Sequence, residues 1–193
     1  MIAGLLLAAG RSSRFGSDKL CAKLNGRAIV RQSIGALAST DAVYVVIPPG
    51  ADALMQALSR LDAHFVINLG RDEGLASSIR AGIEALPPEV EAVVIALGDQ
   101  PLVPAQLVAT LVARWREGDA DAVAPMYRNG QGNPVLFARN VFPELLALRG
   151  DHGARSVVYS LGDRVVHVPA DGDIPADIDT PEALAQLAAM TAS

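Results

Sequence analysis

The chain reads as an α/β protein, a mostly parallel mixed sheet covered by helices on both faces, and three observations predict it. Runs of four to eight residues that are mostly apolar recur along the first half, as buried strands of a parallel sheet do. Segments with helical spacing separate those runs, and alternation of strand and helix builds a parallel sheet through right-handed crossovers. The composition supplies the core: of 193 residues 51% are hydrophobic and 19% charged, while aromatics are only 4%, so Ala, Val, Leu and Ile must fill the interior.

In chain order, Ile2–Ala8, Ala42–Ile47, His64–Leu69 and Ala92–Leu97 are the expected strands. Between and beyond them, Ala28–Ser39, Ala51–Leu61, Leu75–Leu86 and Pro104–Glu117 carry helical spacing. In the last of these, Leu107, Val108, Leu111, Val112 and Trp115 share one face, Pro104 suits the first turn and Gly118 the stop. The second half changes rhythm: Ala122–Met126, Pro134–Ala138 and Val165–Val168 read as strands of a mixed sheet edge, with short helices at Val141–Leu148 and Gly153–Leu161. A final helix starts with Thr180 as cap, Pro181 in the first position and Glu182 in the first turn. No linker, repeat or charge block divides the chain, so residues 1–193 are expected to form one domain.

Composition excludes several classes. With 16 Lys and Arg against 21 Asp and Glu, the net charge of −5 argues against a general nucleic-acid or membrane-surface binder. No apolar run approaches the ~20 residues that span a bilayer. The start, Met1–Gly10, is apolar like part of a signal peptide, but Arg11 and Arg14 come after it instead of before it, and a buried first strand is the better reading. The single cysteine, Cys21, allows no intrachain disulfide and suits a reducing cytoplasm, the expected location.

Three segments could carry chemistry. Leu7-Ala8-Ala9-Gly10-Arg11-Ser12-Ser13-Arg14-Phe15-Gly16-Ser17-Asp18-Lys19 comes directly after the first strand, where open α/β sheets bind ligands. Its small residues let backbone approach a ligand, and Arg14 and Lys19 supply charge for a polyphosphate; a solvated turn is the plainer alternative. It is neither a P-loop nor a G-x-G-x-x-G fingerprint. Leu97-Gly98-Asp99-Gln100-Pro101 ends the most apolar strand, and Asp99 either holds Mg²⁺ or caps the next helix, the two readings being even. In Asp177-Ile178-Asp179, the carboxylates at i and i+2 face the same way in an extended segment, although acidic residues before a helix are ordinary.

Other candidates are weaker. Gly74–Arg80 opens a helix with Ser77 and Ser78, a ribose or phosphate contact or merely a helix start. Gly130–Pro134 and Gly150–Arg155 are polar loops that either meet a second substrate or only turn the chain. His64 and His167 lie in strand runs and read as structural, no zinc spacing exists, and no G-x-S-x-G elbow occurs. Cys21 reads as a small, partly buried residue, with a reactive thiolate beside Lys19 as the alternative.

Leu7–Lys19 resembles the L-A-A/G-G-x-S-x-R-x-G-x-x-K signature of the MobA/MocA-like nucleotidyltransferases of molybdenum cofactor biosynthesis. The similarity continues through Leu24–Arg27, Gly74–Arg80, Gly98–Pro101, Gly132–Pro134, Gly150–Arg155 and Asp177–Pro181, in the family's order. The resemblance implies a three-layer, Rossmann-like nucleotide-diphospho-sugar transferase fold. It implies that Leu7, Ala8, Ala9 and Gly10 hug the nucleotide, that Arg14 and Lys19 bind its phosphates, and that Asp99 with Asp179 holds Mg²⁺. Asn68, Ser77 and Ser78 match the base and ribose region, and Asn133, His152 and Arg155 the acceptor side. Ala8-Ala9-Gly10 resembles the cytidylyl-transferring branch, where guanylyl-transferring relatives read Leu-Ala-Gly-Gly.

The implied reaction is CTP:molybdopterin cytidylyl transfer, with Arg14, Lys19 and Asp99 as the catalytic set and a xanthine-oxidase-family molybdenum hydroxylase receiving the product. A guanylyltransferase or sugar-1-phosphate nucleotidyltransferase of the same fold is the nearest alternative. A non-catalytic cofactor-delivery protein is the other, which the joint presence of Arg14, Lys19, Asp99 and Asp179 disfavours.

Overall fold

The computed structural model describes residues 1–10, 15, 18–118 and 120–191. The first half runs β1 (Ile2–Leu7), a small ribbon of β2 (Lys23–Leu24) and β3 (Arg27–Ala28), α1 (Ile29–Ser33), β4 (Ala42–Ile47), α2 (Asp52–Ala57), β5 (His64–Ile67), α3 (Leu75–Glu84) and β6 (Ala92–Leu97). The second runs α4 (Ala105–Arg116), β7 (Ala122–Tyr127), β8 (Gly130–Gln131), β9 (Val135–Ala138), α5 (Phe142–Ala147), α6 (Ala154–Leu161), β10 (Val165–Pro169) and α7 (Pro181–Thr191).

Among the described residues the main sheet has eight strands, ordered β10-β7-β9-β6-β1-β4-β5 with β8 beside β7. β1 lies between β4 and β6, parallel to both, and all six of its residues are buried. Side chains alternate across it. Leu6 joins one apolar layer with residues of α1, α2 and α4, while Leu5 and Leu7 join the other with residues of α3, α5 and α6. The result is the three-layer α/β sandwich, and its faces are filled mainly by aliphatic residues as the composition required.

The three strands of the second half form the expected mixed end of the sheet: β9 pairs antiparallel with both β6 and β7, and β10 then returns parallel to β7. Two helices differ from the sequence reading. The stretch expected as one helix over Ala28–Ser39 is α1 continued by a 3-10 turn at Ile34–Leu37. There Ser33 donates its hydroxyl back to the Ile29 carbonyl at 3.1 Å and across to the Gly98 carbonyl at 2.8 Å, and Gly35 comes next but one. Such back-bonding and a glycine both weaken a continuing α-helix. The expected helix Ala51–Leu61 ends at Ala57, and Arg60 adopts a left-handed φ of 69°. His64 stacks on Tyr44 with centroids 4.8 Å apart, in keeping with a structural role on the edge strand.

Candidate functional site

Three segments distant in sequence meet where β1 and β6 end. Past β1, the Ala8 amide still donates to the Val46 carbonyl at 2.8 Å, which holds Ala8 and Ala9 in buried, strand-like positions. Past β6, the Gly98 amide donates to the Leu7 carbonyl at 2.9 Å. A Cβ on Gly98 would stand 3.0 Å from that same oxygen, so glycine favours the close approach of the two strand ends here. Asp99 comes immediately after and is thereby fixed beside the first loop. The third segment is anchored by Ile178, which is 1% exposed and donates its amide to the Asp99 carbonyl at 3.1 Å. Of its flanking residues, Asp179 shares the Lys19 ammonium with Asp99, and Asp177 lies near enough to feel the Asp99 charge.

Lys19 closes the arrangement. It opens a 3-10 turn, Lys19–Cys21, whose start is capped by Asp18 accepting from the Leu20 amide at 3.3 Å. Its Nζ donates to Asp99 Oδ2 at 2.7 Å and to Asp179 Oδ1 at 2.8 Å. Burial pulls the Lys19 ammonium down, but the hydrogen bonds from it to Asp179 and Asp99 outweigh that, and it is held above the usual lysine range. Gln100 braces the remaining carboxylate, donating from Nε2 to Asp177 Oδ1 at 2.8 Å and to the Pro175 carbonyl at 3.2 Å. Burial, then the Asp99 charge, raises the Asp177 carboxyl above the usual range.

A cleft of about 520 Å³ opens over this cluster, ample for the phosphates and sugar of a nucleotide. Leu7, Ala9, Gly10, Lys19, Ser78 and Asp99 of the predicted residues line it. Asn68 and Ser77 do not; they are buried, and Asn68 Nδ2 donates to Ser77 Oγ at 2.9 Å and to Ser78 Oγ at 3.0 Å. These two side chains thus brace the wall from which Ser78 faces the cleft. Asn133 lies outside the cleft too, its carbonyl accepting from the Tyr127 hydroxyl at 2.8 Å. His152 and Arg155 are exposed, and Arg155 lies over the Tyr159 ring. Arg14, with Arg11–Ser13, Gly16 and Ser17, lies outside the described residues.

Sequence reasoning passes over several lining residues. Arg71 and Asp72 come from a 3-10 turn after β5, and nothing in their pattern distinguishes them from loop charges. Asp151 arrives because the Gly150–Arg155 loop lodges on the start of α3. Gly74 there has φ 92°, and a Cβ on it would lie 2.5 Å from both the Gly150 carbonyl oxygen and Asp151 Oδ1. The Ala76 amide donates to that Gly150 carbonyl at 3.0 Å, which locks the two loops together. Cys21 is no thiolate: burial, then Asp18, which accepts from its Sγ at 3.4 Å, pushes the thiol up to about 11.

The donor chemistry fits a hard divalent cation. Asp99 and Asp179 converge within hydrogen-bond reach of one ammonium, with the Asp177 carboxylate near enough to feel Asp99. Among the described residues no group of three or more His, Cys, Asp and Glu forms a ready metal cage. Mg²⁺ is commonly held in this way, by one or two carboxylates with substrate phosphates completing the shell. Among the described residues no helix is long and apolar enough to cross a membrane.

Comparison with known proteins agrees with this geometry. Over 135 residues the chain is 34% identical to 2-C-methyl-D-erythritol 4-phosphate cytidylyltransferase of Streptomyces avermitilis, a match covering 64% of this chain. It spans about half of that enzyme, 52% of its length. Over 93% of the chain and 92% of the relative it is 28% identical to purine catabolism protein PucB of Bacillus subtilis. A probable molybdenum cofactor guanylyltransferase of Thermococcus gammatolerans is 26% identical over 74% of this chain and 72% of its own. Among solved structures, Rv0371c of Mycobacterium tuberculosis superposes with a TM-score of 0.84 at 28% identity, covering 97% of both chains. A further structure of that protein is a complex with manganese, with a TM-score of 0.81 at 26% identity, covering 97% of this chain and 98% of the other. A family model for the MobA-like NTP transferase domain matches residues 4–165. The chain therefore belongs to the MobA-like NTP transferase family, and its enzyme class is nucleotidyltransferase.

Proposed function

We propose that this protein is a CTP:molybdopterin cytidylyltransferase that works with Mg²⁺. The observation that carries the reading is the Lys19 clamp on Asp99 and Asp179 at the floor of a nucleotide-sized cleft. The Ala8-Ala9-Gly10 backbone beside it resembles the cytidylyl branch, and a cytidylyltransferase stands among the relatives. A purine-oxidising, xanthine-oxidase-type hydroxylase as recipient of the product agrees with the purine-catabolism name of the Bacillus subtilis relative.

In this reaction an oxygen of the acceptor's terminal phosphate attacks the α-phosphorus of CTP in line. A new P–O bond forms as the bond to the β-phosphate breaks, and pyrophosphate leaves. The attacking oxygen is already anionic near neutral pH, so no side-chain nucleophile and no strong base is needed. What the protein supplies is positioning of two anions that repel each other and stabilisation of charge on the leaving group. The Ala8–Gly10 backbone lets the nucleotide approach closely because no bulky side chain intervenes. Lys19 holds a positive charge in the cleft, and Arg14 belongs to the same sequence motif. Asp99 and Asp179 would hold Mg²⁺, which supplies Lewis-acid neutralisation of phosphate oxygens when bound. Asn133, His152 and Arg155 belong to the acceptor side in this reading. The loop carrying His152 and Arg155 is tied to the cleft rim through Gly74 and Gly150.

Guanylyl transfer by the same apparatus is the second reading, favoured by the name of the Thermococcus gammatolerans relative. Pyrophosphate release, measured with Mg²⁺ and molybdenum-loaded molybdopterin while CTP, GTP, ATP and UTP are compared, decides between them. Release with CTP, reduced by about a hundredfold or more in Asp99→Asn, is expected. Release with GTP alone would replace the cytidylyl reading by the guanylyl one. Release with 2-C-methyl-D-erythritol 4-phosphate as acceptor, and none with molybdopterin, would reassign the acceptor.

A further inference from the structure

We infer that Arg71 reads the nucleotide base, donating from its guanidinium to an adjacent pair of acceptors and so selecting cytosine against adenine and uracil. The inference rests on the nucleotide-binding reading of the cleft and adds to it the residue that sets base preference. Arg71 lines the cleft from the turn Arg71–Glu73, beyond the end of β5. Asp99, by contrast, comes just past the end of β6, with the Lys19 ammonium hydrogen-bonded to it. In the order β6-β1-β4-β5, three strand spacings separate β6 from β5, about 14 Å at the usual interval, and the Arg71 side chain reaches back from the turn after β5 to the Gly10 carbonyl. A nucleotide with its phosphates over Lys19 and Asp99 and its sugar along Ala9, Gly10 and Ser78 carries its base toward Arg71.

The state of the guanidinium points to a ligand. A guanidinium has five N–H donors and no way to become neutral. Here Nη2 makes one long contact, 3.5 Å, to the Gly10 carbonyl. Nε is enclosed and, among the described residues, has no acceptor. Nor does any carboxylate among those residues form an ion pair with Arg71, whereas Arg80 of α3 is paired with Glu73 at 2.6 Å. An enclosed donor without an acceptor is unfavourable, and a planar fork facing a cleft is suited to two neighbouring acceptors.

Base chemistry supplies the selectivity. Cytosine presents O2 and N3 as adjacent acceptors, which match two parallel N–H groups. On its Watson–Crick edge uracil sets an N–H between two carbonyls, and adenine sets an amino group beside N1; each puts a donor against one prong. Guanine offers an adjacent acceptor pair at O6 and N7, the pairing arginine uses in DNA. The fork therefore divides the four bases into cytosine and guanine against adenine and uracil. Backbone contacts near Ala9 and Gly10 are left to divide the first two.

The test is equilibrium binding of CTP, CMP, UTP, ATP and GTP to the full chain with Mg²⁺, comparing the parent with Arg71→Ala and Arg71→Lys. Arg71 is partly buried, and retained thermal unfolding and circular dichroism show that each variant folds. Expected is a loss of CTP affinity in Arg71→Ala of about ten- to hundredfold, with UTP and ATP nearly unchanged, so that discrimination collapses. CMP should lose the same factor as CTP. Arg71→Lys should behave like Arg71→Ala, because it keeps the charge and loses the fork. Equal losses for all nucleotides, or a loss that CMP escapes, or rescue by lysine would assign Arg71 to phosphate and overturn the inference. Parent protein that prefers GTP, with that preference lost in Arg71→Ala, would overturn the cytidylyl reading and leave base reading by Arg71 standing. A parent that binds no nucleotide would overturn both.

Discussion

At the residue scale, the site is an electrostatic compromise centred on Lys19. Its side chain is only 11% exposed, and an ammonium that buried stays charged because Asp99 and Asp179 accept from it. Two residues further on, Cys21 has the opposite surroundings. Burial and the Asp18 carboxylate favour its neutral thiol, pushed up to about 11. At pH 8 its thiolate fraction should be about a hundredfold below that of an ordinary thiol, and iodoacetamide should label it correspondingly slowly. Asp18→Asn should speed the labelling; equal rates in both proteins would refute the role of Asp18. The unfolded chain loses this proton near pH 9 and the folded chain near 11, so the stability contributed by the protonated thiol is lost as pH rises through that window. Lys19, Asp99 and Asp179 are legible in the sequence because they sit in short motifs at the ends of expected elements. The state of Cys21 is not, since desolvation depends on what packs around it. Arg71 is invisible for the same reason, being one charge among several in a loop.

At the element scale, α3 lies against β1 through a missing side chain. A Cβ on Gly82 would come within 2.6 Å of both Leu5 methyl groups, and Leu5 is itself fully buried. Alanine improves helix propensity by up to about 1 kcal/mol, but crowding a packed core costs about 1–3 kcal/mol. Gly82→Ala should therefore destabilise the protein in urea unfolding; an unchanged or higher midpoint would show that the layer yields. The consequence reaches the cleft, because α3 begins at Leu75 and carries Ser77 and Ser78. Strand positions are closely legible from their apolar runs, as with Ala42–Ile47 and Ala92–Leu97, where expectation and structure coincide. Helix lengths are less so. Nothing local announces that Ser33 donates its hydroxyl to the Gly98 carbonyl, 65 residues away.

At the scale of the whole molecule, the sheet gathers into one cleft residues from Leu7 to Asp177. A ligand that spans those segments binds only the folded chain and must stabilise it. At a hundred times its dissociation constant, Mg²⁺ with CTP should contribute about 2.7 kcal/mol, and in a chain of this size that corresponds to a rise in Tm of about 5–10 °C. Thermal unfolding with and without ligand measures it, and Asp99→Asn should remove most of the rise. A rise undiminished in Asp99→Asn would separate nucleotide binding from the Asp99 carboxylate.

By itself the sequence determined the class of the fold, the position of most strands and the motifs that carry Lys19, Asp99 and Asp179. Those depend on periodicity and on residue types, which are local properties. Only the tertiary structure decided that β9 lies antiparallel between β6 and β7 and that Asn68 and Ser77 brace the wall behind Ser78. It alone brought Asp151 and Arg71 to the cleft. Strand order, desolvation and the pairing of buried polar groups depend on neighbours remote in the chain, and no local pattern encodes which neighbours those are.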